Sequence, residues 1–348
     1  MKLPFTLFSG AVVALAVLAT GCSREAKSPE SAAPAGATAS AGASGTGSSE
    51  PVKVLLQSDW YAQAEHGGHY QAVARGFDRE AGIALSIHQG GPGSFGTQKV
   101  ATGQAQFSMG RSDDVMLAVQ QGLPIVIVTA LMQHDPQALL LHEENPVASF
   151  ADLDGKSVMA TPGAAWVEFV QRKYQVKLNL IPLNYGLAQF MSDKAFIQQC
   201  FITNEPYFVA QNGAKPKTLL IAGSGYDPYR VIFTSRKFMR ENPAAVQAFV
   251  TAAARGWHDF LEGDPTPGMA LISKDNDKMD EAFMRFSIAE MKRHRLVAGH
   301  AERGERIGLL TRERLEGQVA ALMETGLLKE PMEVERFASL DFPAPEVP

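Results

Sequence analysis

An α/β fold in two lobes, each a mostly parallel sheet flanked by helices, is what this sequence predicts, on three observations. From Val52 onward, short apolar or alternating runs of strand length recur between amphipathic stretches of helix length. After Arg230–Ser235 the strand-like runs stop, and the chain to about Leu328 reads as helix. The 348 residues, 45% hydrophobic and 20% charged, have ordinary globular composition, enough for about two domains.

The first set spans residues 52–137. Val52–Gln57 reads as a strand, His69–Glu80 as an amphipathic helix and Ala84–His88 as a second strand. Gly90-Gly-Pro-Gly93 makes a turn, with Ser94 as N-cap of a helix through Ala101. Ala105–Met109 is a third strand, Ser112-Asp113 caps a helix to Gln121, and Pro124 opens the apolar strand Ile125–Ala130. This βα rhythm predicts a mostly parallel sheet with helices on both faces.

The second set spans 138–241. Its strands are Ala138–His142, Ser157–Ala160, Leu178–Leu183, Ala195–Thr203, Thr218–Ala222 and Arg230–Ser235. Helices are expected from Thr161-Pro-Gly163 through Tyr174 and from Pro206 to Asn212. A helical return expected to pack on the first lobe follows over 242–340, with Asn242 as N-cap and Pro243 at the first position of a helix to Leu261. Residues 341–348 read as a loose tail. Two lobes imply a cleft between them, a common place for a small ligand.

The N-terminus stands outside this pattern. Lys2 and the apolar run Phe5–Ala19 form a signal peptide over 1–22. Leu18-Ala-Thr-Gly-Cys22 has the pattern of a lipidation site, although Leu stands one place earlier than usual. Residues 23–50, dominated by Ser, Ala, Gly, Pro and Thr, read as a disordered tether of roughly 25–30 Å r.m.s. reach. With Cys22 lipidated, Cys200 has no intrachain partner; its apolar setting reads as a buried structural thiol. The net charge of −5 argues against a nucleic-acid surface, which needs a basic stripe.

Ser58–Tyr70 concentrates acids, aromatics and His66 where a first strand ends and a first helix begins. Ligands of open α/β sheets bind beyond the carboxyl ends of strands, so this stretch is a candidate wall of a site. Gly90–Gly93 is not followed by Gly-Lys-Ser/Thr, which disfavours a nucleotide loop. His134, His142 and His258 lack metal-ligand spacing. Trp257 and Phe260 fit a core stripe, and Lys292–Arg295 a solvated helix face.

Several motifs taken in order resemble one family. They are Asp59-Trp-Tyr with Glu65-His66-Gly67, Gly90–Ser94, Gly103–Gly110, Gly122–Val128, Phe150–Val158, Asn204-Glu205-Pro206 and Arg236–Pro243. Over about residues 52–330 the chain is similar to the SsuA/THI5-like (NMT1-type) binding lipoproteins of ABC importers. In motif it stands nearest those for thiamine-pyrimidine precursors. The resemblance implies a periplasmic-binding-protein-like type II fold that closes like a hinge. It also implies a monomer without cofactor or enzyme activity, anchored through Cys22 outside the cytoplasm and serving a permease and ATPase.

Strand ends nominate the ligand contacts. In the first lobe these are Asp59, Trp60, Tyr61, Glu65, His66, Ser94, Met109, Arg111 and Asp113. In the second they are Thr161, Trp166, Asn204, Glu205, Tyr207, Tyr226, Asp227 and Tyr229. Trp166 can equally pack its own helix, His66 can cap a helix, and Arg111 can pair with Asp113 or Asp114. Five acids against Arg111 favour an amino-bearing nitrogen heterocycle over an anion. Alternatives are a sulfonate- or nitrate-type anion, a flavin, and a pyrimidine-synthase-like enzyme. Such enzymes carry a cysteine cluster where this chain has only Cys200.

Overall fold

The computed structural model describes residues 50–347. The leader, Cys22 and the tether to residue 49 lie outside the described residues. Ten strands form two five-stranded sheets: β1 (Val52–Gln57), β2 (Ile83–His88), β3 (Phe107–Arg111), β4 (Ile125–Met132), β5 (Gln137–His142), β6 (Ser157–Ala160), β7 (Asn179–Pro182), β8 (Ile197–Phe201), β9 (Pro216–Leu220) and β10 (Arg230–Ser235). The orders are β2-β1-β3-β10-β4 and β7-β6-β8-β5-β9. β10 runs against β3 and β4 in the first sheet, and β5 against β8 and β9 in the second. The remaining pairs are parallel, as the helical crossovers between them require.

Each opposed strand is the one that arrives from the other lobe. β10, expected within 138–241, therefore belongs to the first lobe. All six of its residues are buried, so it needs cover on both faces, which its central place between β3 and β4 supplies. Its pattern marked a strand but not its partners. The C-terminal residues also differ from the loose tail expected. Ala344 is buried, its carbonyl accepts from Arg306, and Ala338 bridges Ile127 of β4.

The first helix, Gly67–Arg75, lies directly on the long helix Pro243–Glu262. A Cβ on Gly67 would stand 2.1 Å from the Phe260 ring, and one on Gly68 2.2 Å from Trp257. Only glycine permits that approach, so Gly67-Gly68 serves packing. His69 on the same helix is fully buried beside Phe249 and Trp257, and neither ring nitrogen has a partner. Burial, with His66 nearby, pulls its pKa down to about 3.

Two chain crossings, 133–136 and 225–229, join the lobes. His134 of the first lies between carboxylates, with Nδ1 2.6 Å from Asp227 Oδ2 and Nε2 2.9 Å from Glu305 Oε2. Asp227 belongs to the second crossing, and its other oxygen accepts the Asp135 N–H at 3.1 Å. Arg314, on the helix Arg312–Glu324, donates to the carbonyls of Gln133 and Asp227, one on each crossing. A neutral imidazole has a single N–H, so only the imidazolium donates to both carboxylates. Burial and Arg314 oppose that charge, yet Asp227 and Glu305 outweigh them and raise the His134 pKa.

Two predictions follow from these histidines. A raised pKa gives stability that is complete below the unfolded value of about 6.5 and lost as pH rises through the native value. His134→Gln is therefore expected to lower the melting temperature more at pH 6 than at pH 8.5; equal losses would show that the clasp carries no charge. His69 has the opposite sign, since its lowered pKa makes the wild type lose stability as pH falls below about 6.5. His69→Leu should gain about 1–3 kcal/mol in urea unfolding, with a larger gain at pH 5 than at pH 7.5.

Candidate functional site

The carboxyl ends of β1, β3 and β8 and the start of β10 converge on a cavity of about 430 Å³ between the lobes. Of the residues the sequence nominated, Asp59, Trp60, Arg111, Thr161, Asn204 and Glu205 line it. Strand-end placement explains this set, since each lies within a few residues of a sheet's edge.

Asp59 is the most heavily held group. His66 Nε2 lies 3.1 Å from its Oδ1, and the Arg230 guanidinium donates to its Oδ2. Burial raises the Asp59 pKa, but Arg230 and His66 together carry it far below the usual carboxylate range. His66 thus occupies the N-cap position of Gly67–Arg75 without a side-chain capping bond, and its ring, outside the cavity lining, braces Asp59 from behind. Ser94 also serves this loop, donating to the Asp59 carbonyl at 3.3 Å, while Phe95 takes the N-cap position expected of it. Arg111 is neutralised in the same way, 3.3 Å from Asp113 and 3.0 Å from Asp114, and it donates to Gln137 at 3.1 Å.

On the second lobe, the Gln199 amide closes a two-way bond with Thr161, accepting from its N–H and donating to its hydroxyl, each at 3.1 Å. Glu205 accepts the Phe201 N–H at 2.8 Å. Burial pushes its pKa up to about 7, with a smaller push from Glu65. Glu65 is buried away from the cavity and accepts the Thr203 hydroxyl, a bond from lobe to lobe.

The other nominated residues go elsewhere. Met109 and Trp166 are core residues, Met109 because β3 alternation turns it inward with Phe107, Trp166 because it sits on the apolar face of its helix. Tyr61 lines a neighbouring groove, and Tyr207 packs on Phe208, Phe283 and Phe286. Asp113, Tyr226, Asp227 and Tyr229 line a separate cavity of about 550 Å³ beside the crossings, where Tyr226 donates to Asp113 at 2.7 Å. Tyr226, Asp227 and Tyr229 lie on the crossing that leads into β10, and Asp113 in the first turn of the helix Ser112–Gln120 after β3.

Sequence reasoning missed Arg230, Gln63, Gln137, Gln199 and Tyr185, all of which line the cleft. Tyr185-Gly186 just beyond β7 was a legible signal of the strand-end kind. Arg230 gave none, because its role depends on β10 returning to the first lobe. Among the described residues no His/Cys/Asp/Glu group could hold a metal ion, and no helix is long and apolar enough to cross a membrane.

A family model described as NMT1/THI5 like matches residues 63–266. The riboflavin-binding protein RibY of Chloroflexus aurantiacus is 26% identical over 263 residues, 72% of each chain. The formylaminopyrimidine-binding protein of Halalkalibacterium halodurans is 24% identical over 241 residues, 66% of this chain and 72% of that one. In structure the chain is similar to the periplasmic aliphatic sulphonate binding protein SsuA of Escherichia coli, with TM-score 0.61 and 13% identity over 86% of this chain and 95% of that one. It is also similar to the nitrate-binding protein NrtA of Synechocystis PCC 6803, with TM-score 0.62 and 14% identity over 84% and 87%. Those two likenesses establish the two-lobed fold.

Glu205 generates a prediction. A carboxyl with a raised native pKa loses stability as pH rises from its unfolded value, about 4.3, toward about 7. Glu205→Gln keeps an acceptor for the Phe201 N–H. It is expected to gain stability relative to wild type on the order of 1 kcal/mol at pH 8 and nothing at pH 4.5, measured by urea denaturation.

Proposed function

Because this chain belongs to the NMT1/THI5-like family, we propose that it is an extracytoplasmic solute-binding protein of an ABC importer. Its ligand is a small flat nitrogen heterocycle, of the thiamine-precursor pyrimidine kind, held as the lobes close about the two crossings. The observation that carries this reading is the cleft's balance of groups. Trp60 offers an aromatic face, Glu205 offers an acceptor, and each guanidinium is already matched by a carboxylate, Arg111 by Asp113 and Asp114 and Arg230 by Asp59.

That balance replaces the simple excess of acids read from the sequence. Glu65 and Asp113 are held by Thr203 and Tyr226, and Asp227 by His134. Arg230 adds a second cation that the sequence count lacked. A free sulfonate or nitrate would find no uncompensated positive charge, whereas a ring with both amino and carbonyl edges meets acceptors and donors together. Riboflavin shares those edges, and a relative is named for binding it. Attachment through a lipid on Cys22 belongs to the same reading, as the sequence Leu18-Ala-Thr-Gly-Cys22 supports it.

Titration calorimetry with formylaminopyrimidine, riboflavin, ethanesulfonate and nitrate tests the ligand class. One of the two heterocycles is expected to bind with Kd of about 1 μM or tighter, near −8 kcal/mol, and neither anion to bind measurably. Tight binding of an anion with no heterocycle bound would sink the proposal.

A further inference from the structure

We propose that Tyr185 is a ligand-selecting residue of the cleft, the second-lobe wall that closes on a flat ring resting against Trp60 of the first lobe. This deepens the reading above and rests on the cleft being the ligand site. Tyr185 follows β7 in the second sheet and Trp60 follows β1 in the first, so their contact spans the lobes. Their ring centroids are 5.0 Å apart at an interplanar angle of 39°, and both residues line the cleft cavity. Tyr61, also nominated as a ligand contact, meets Trp60 edge-on, at 5.5 Å and 74°, and lies outside the cavity.

Two features mark Tyr185 as placed for more than packing. Its φ is +61°, in the left-handed region that bulky side chains avoid, and strain of that kind persists where surrounding structure imposes it. The neighbouring Asn184 side chain spans this turn, accepting the Gly186 N–H at 2.9 Å. Despite its aromatic ring, Tyr185 is also 57% exposed. A core tyrosine would be neither strained nor exposed.

The geometry gives the selection rule. A flat ring between two aromatic faces needs them about 7 Å apart, two contact layers of about 3.5 Å. The 5.0 Å spacing reaches that by roughly 2 Å of separation, a small rotation about the crossings. A tetrahedral anion such as a sulfonate has no flat face to stack, so it gains nothing from the wall.

The test uses Tyr185→Asn, which removes the ring while asparagine tolerates the left-handed backbone, and Tyr185→Phe, which keeps the ring. Against whichever of riboflavin or formylaminopyrimidine the wild type binds, Tyr185→Asn is expected to lose affinity by about 5- to 150-fold and Tyr185→Phe by less than about twofold. Unchanged affinity in Tyr185→Asn overturns the proposal, as does equal loss in both variants. Failure of the wild type to bind either heterocycle instead overturns the functional reading. A ligand-independent readout judges the contact itself. Of the three tryptophans, Trp166 and Trp257 are 0% and 2% exposed, so acrylamide quenching reports on Trp60. Tyr185→Asn should raise that quenching and Tyr185→Phe leave it unchanged; no rise in Tyr185→Asn overturns the inter-lobe contact.

Discussion

The imidazole of His134, held between Asp227 and Glu305, fixes how the two chain crossings stand to each other. The opposed strands β5 and β10 begin where those crossings end. Their placement in turn carries Gln137 and Arg230 to the cleft. If the crossings slid, Arg230 would leave Asp59 and Gln137 would leave Arg111, and the cleft would hold unpaired charge. Breaking a buried pair costs several kcal/mol, whereas rotation about a clasp that moves both crossings together breaks no ion pair and loosens the lobe-to-lobe bond from Thr203 to Glu65. Arg314 enforces that common motion by bonding a carbonyl on each. The arrangement therefore permits the lobes to part while the floor of the cleft keeps its charge balance.

Charge compensation explains the site's character as well. Every guanidinium near the cavity is matched by a carboxylate of its own lobe or loop, and Glu205 is pushed up to about 7, so near neutrality it is only partly ionised. The cleft thus offers many directional hydrogen-bond groups with little net field. On the proposed reading, direction without field favours neutral molecules with patterned edges, since desolvating a charge is costly unless it is paired. The same fold in the sulphonate- and nitrate-binding neighbours shows that the scaffold does not set ligand class.

Much of this was legible in the residues, for a physical reason. Strand and helix periods are local, and so the alternation, the two sheets and the strand-end loop after β1 could be read directly. What could not be read were long-range pairings. β10 carries an apolar pattern that any sheet would accept; only its partners β3 and β4 place Arg230, 171 residues away in sequence, against Asp59. The nominated acids were misjudged for the same reason. Glu65 and Asp113 are spent on Thr203 and Tyr226, partners 138 and 113 residues distant. Trp166 and Met109 show the other limit, since a large side chain at a strand end or helix start can turn inward as readily as toward a ligand.

The loop after β1 shows how one short sequence divides these tasks. Gly67 and Gly68 bring the first helix onto Phe260 and Trp257, which pins the loop's C-terminal end. His66, one residue earlier, is thereby aimed back at Asp59, and Asp59 holds Arg230 of the returning strand. Trp60, next to the held Asp59, turns its ring to the other lobe, with Gln63 beside it on the cleft wall. Helix packing thus orients the imidazole, the imidazole and guanidinium orient the carboxylate, and the carboxylate's neighbour presents the aromatic face. The concentration of acids and aromatics in this stretch therefore reflects a chain of dependence in which a single residue meets the cleft with its ring and the rest keep it there.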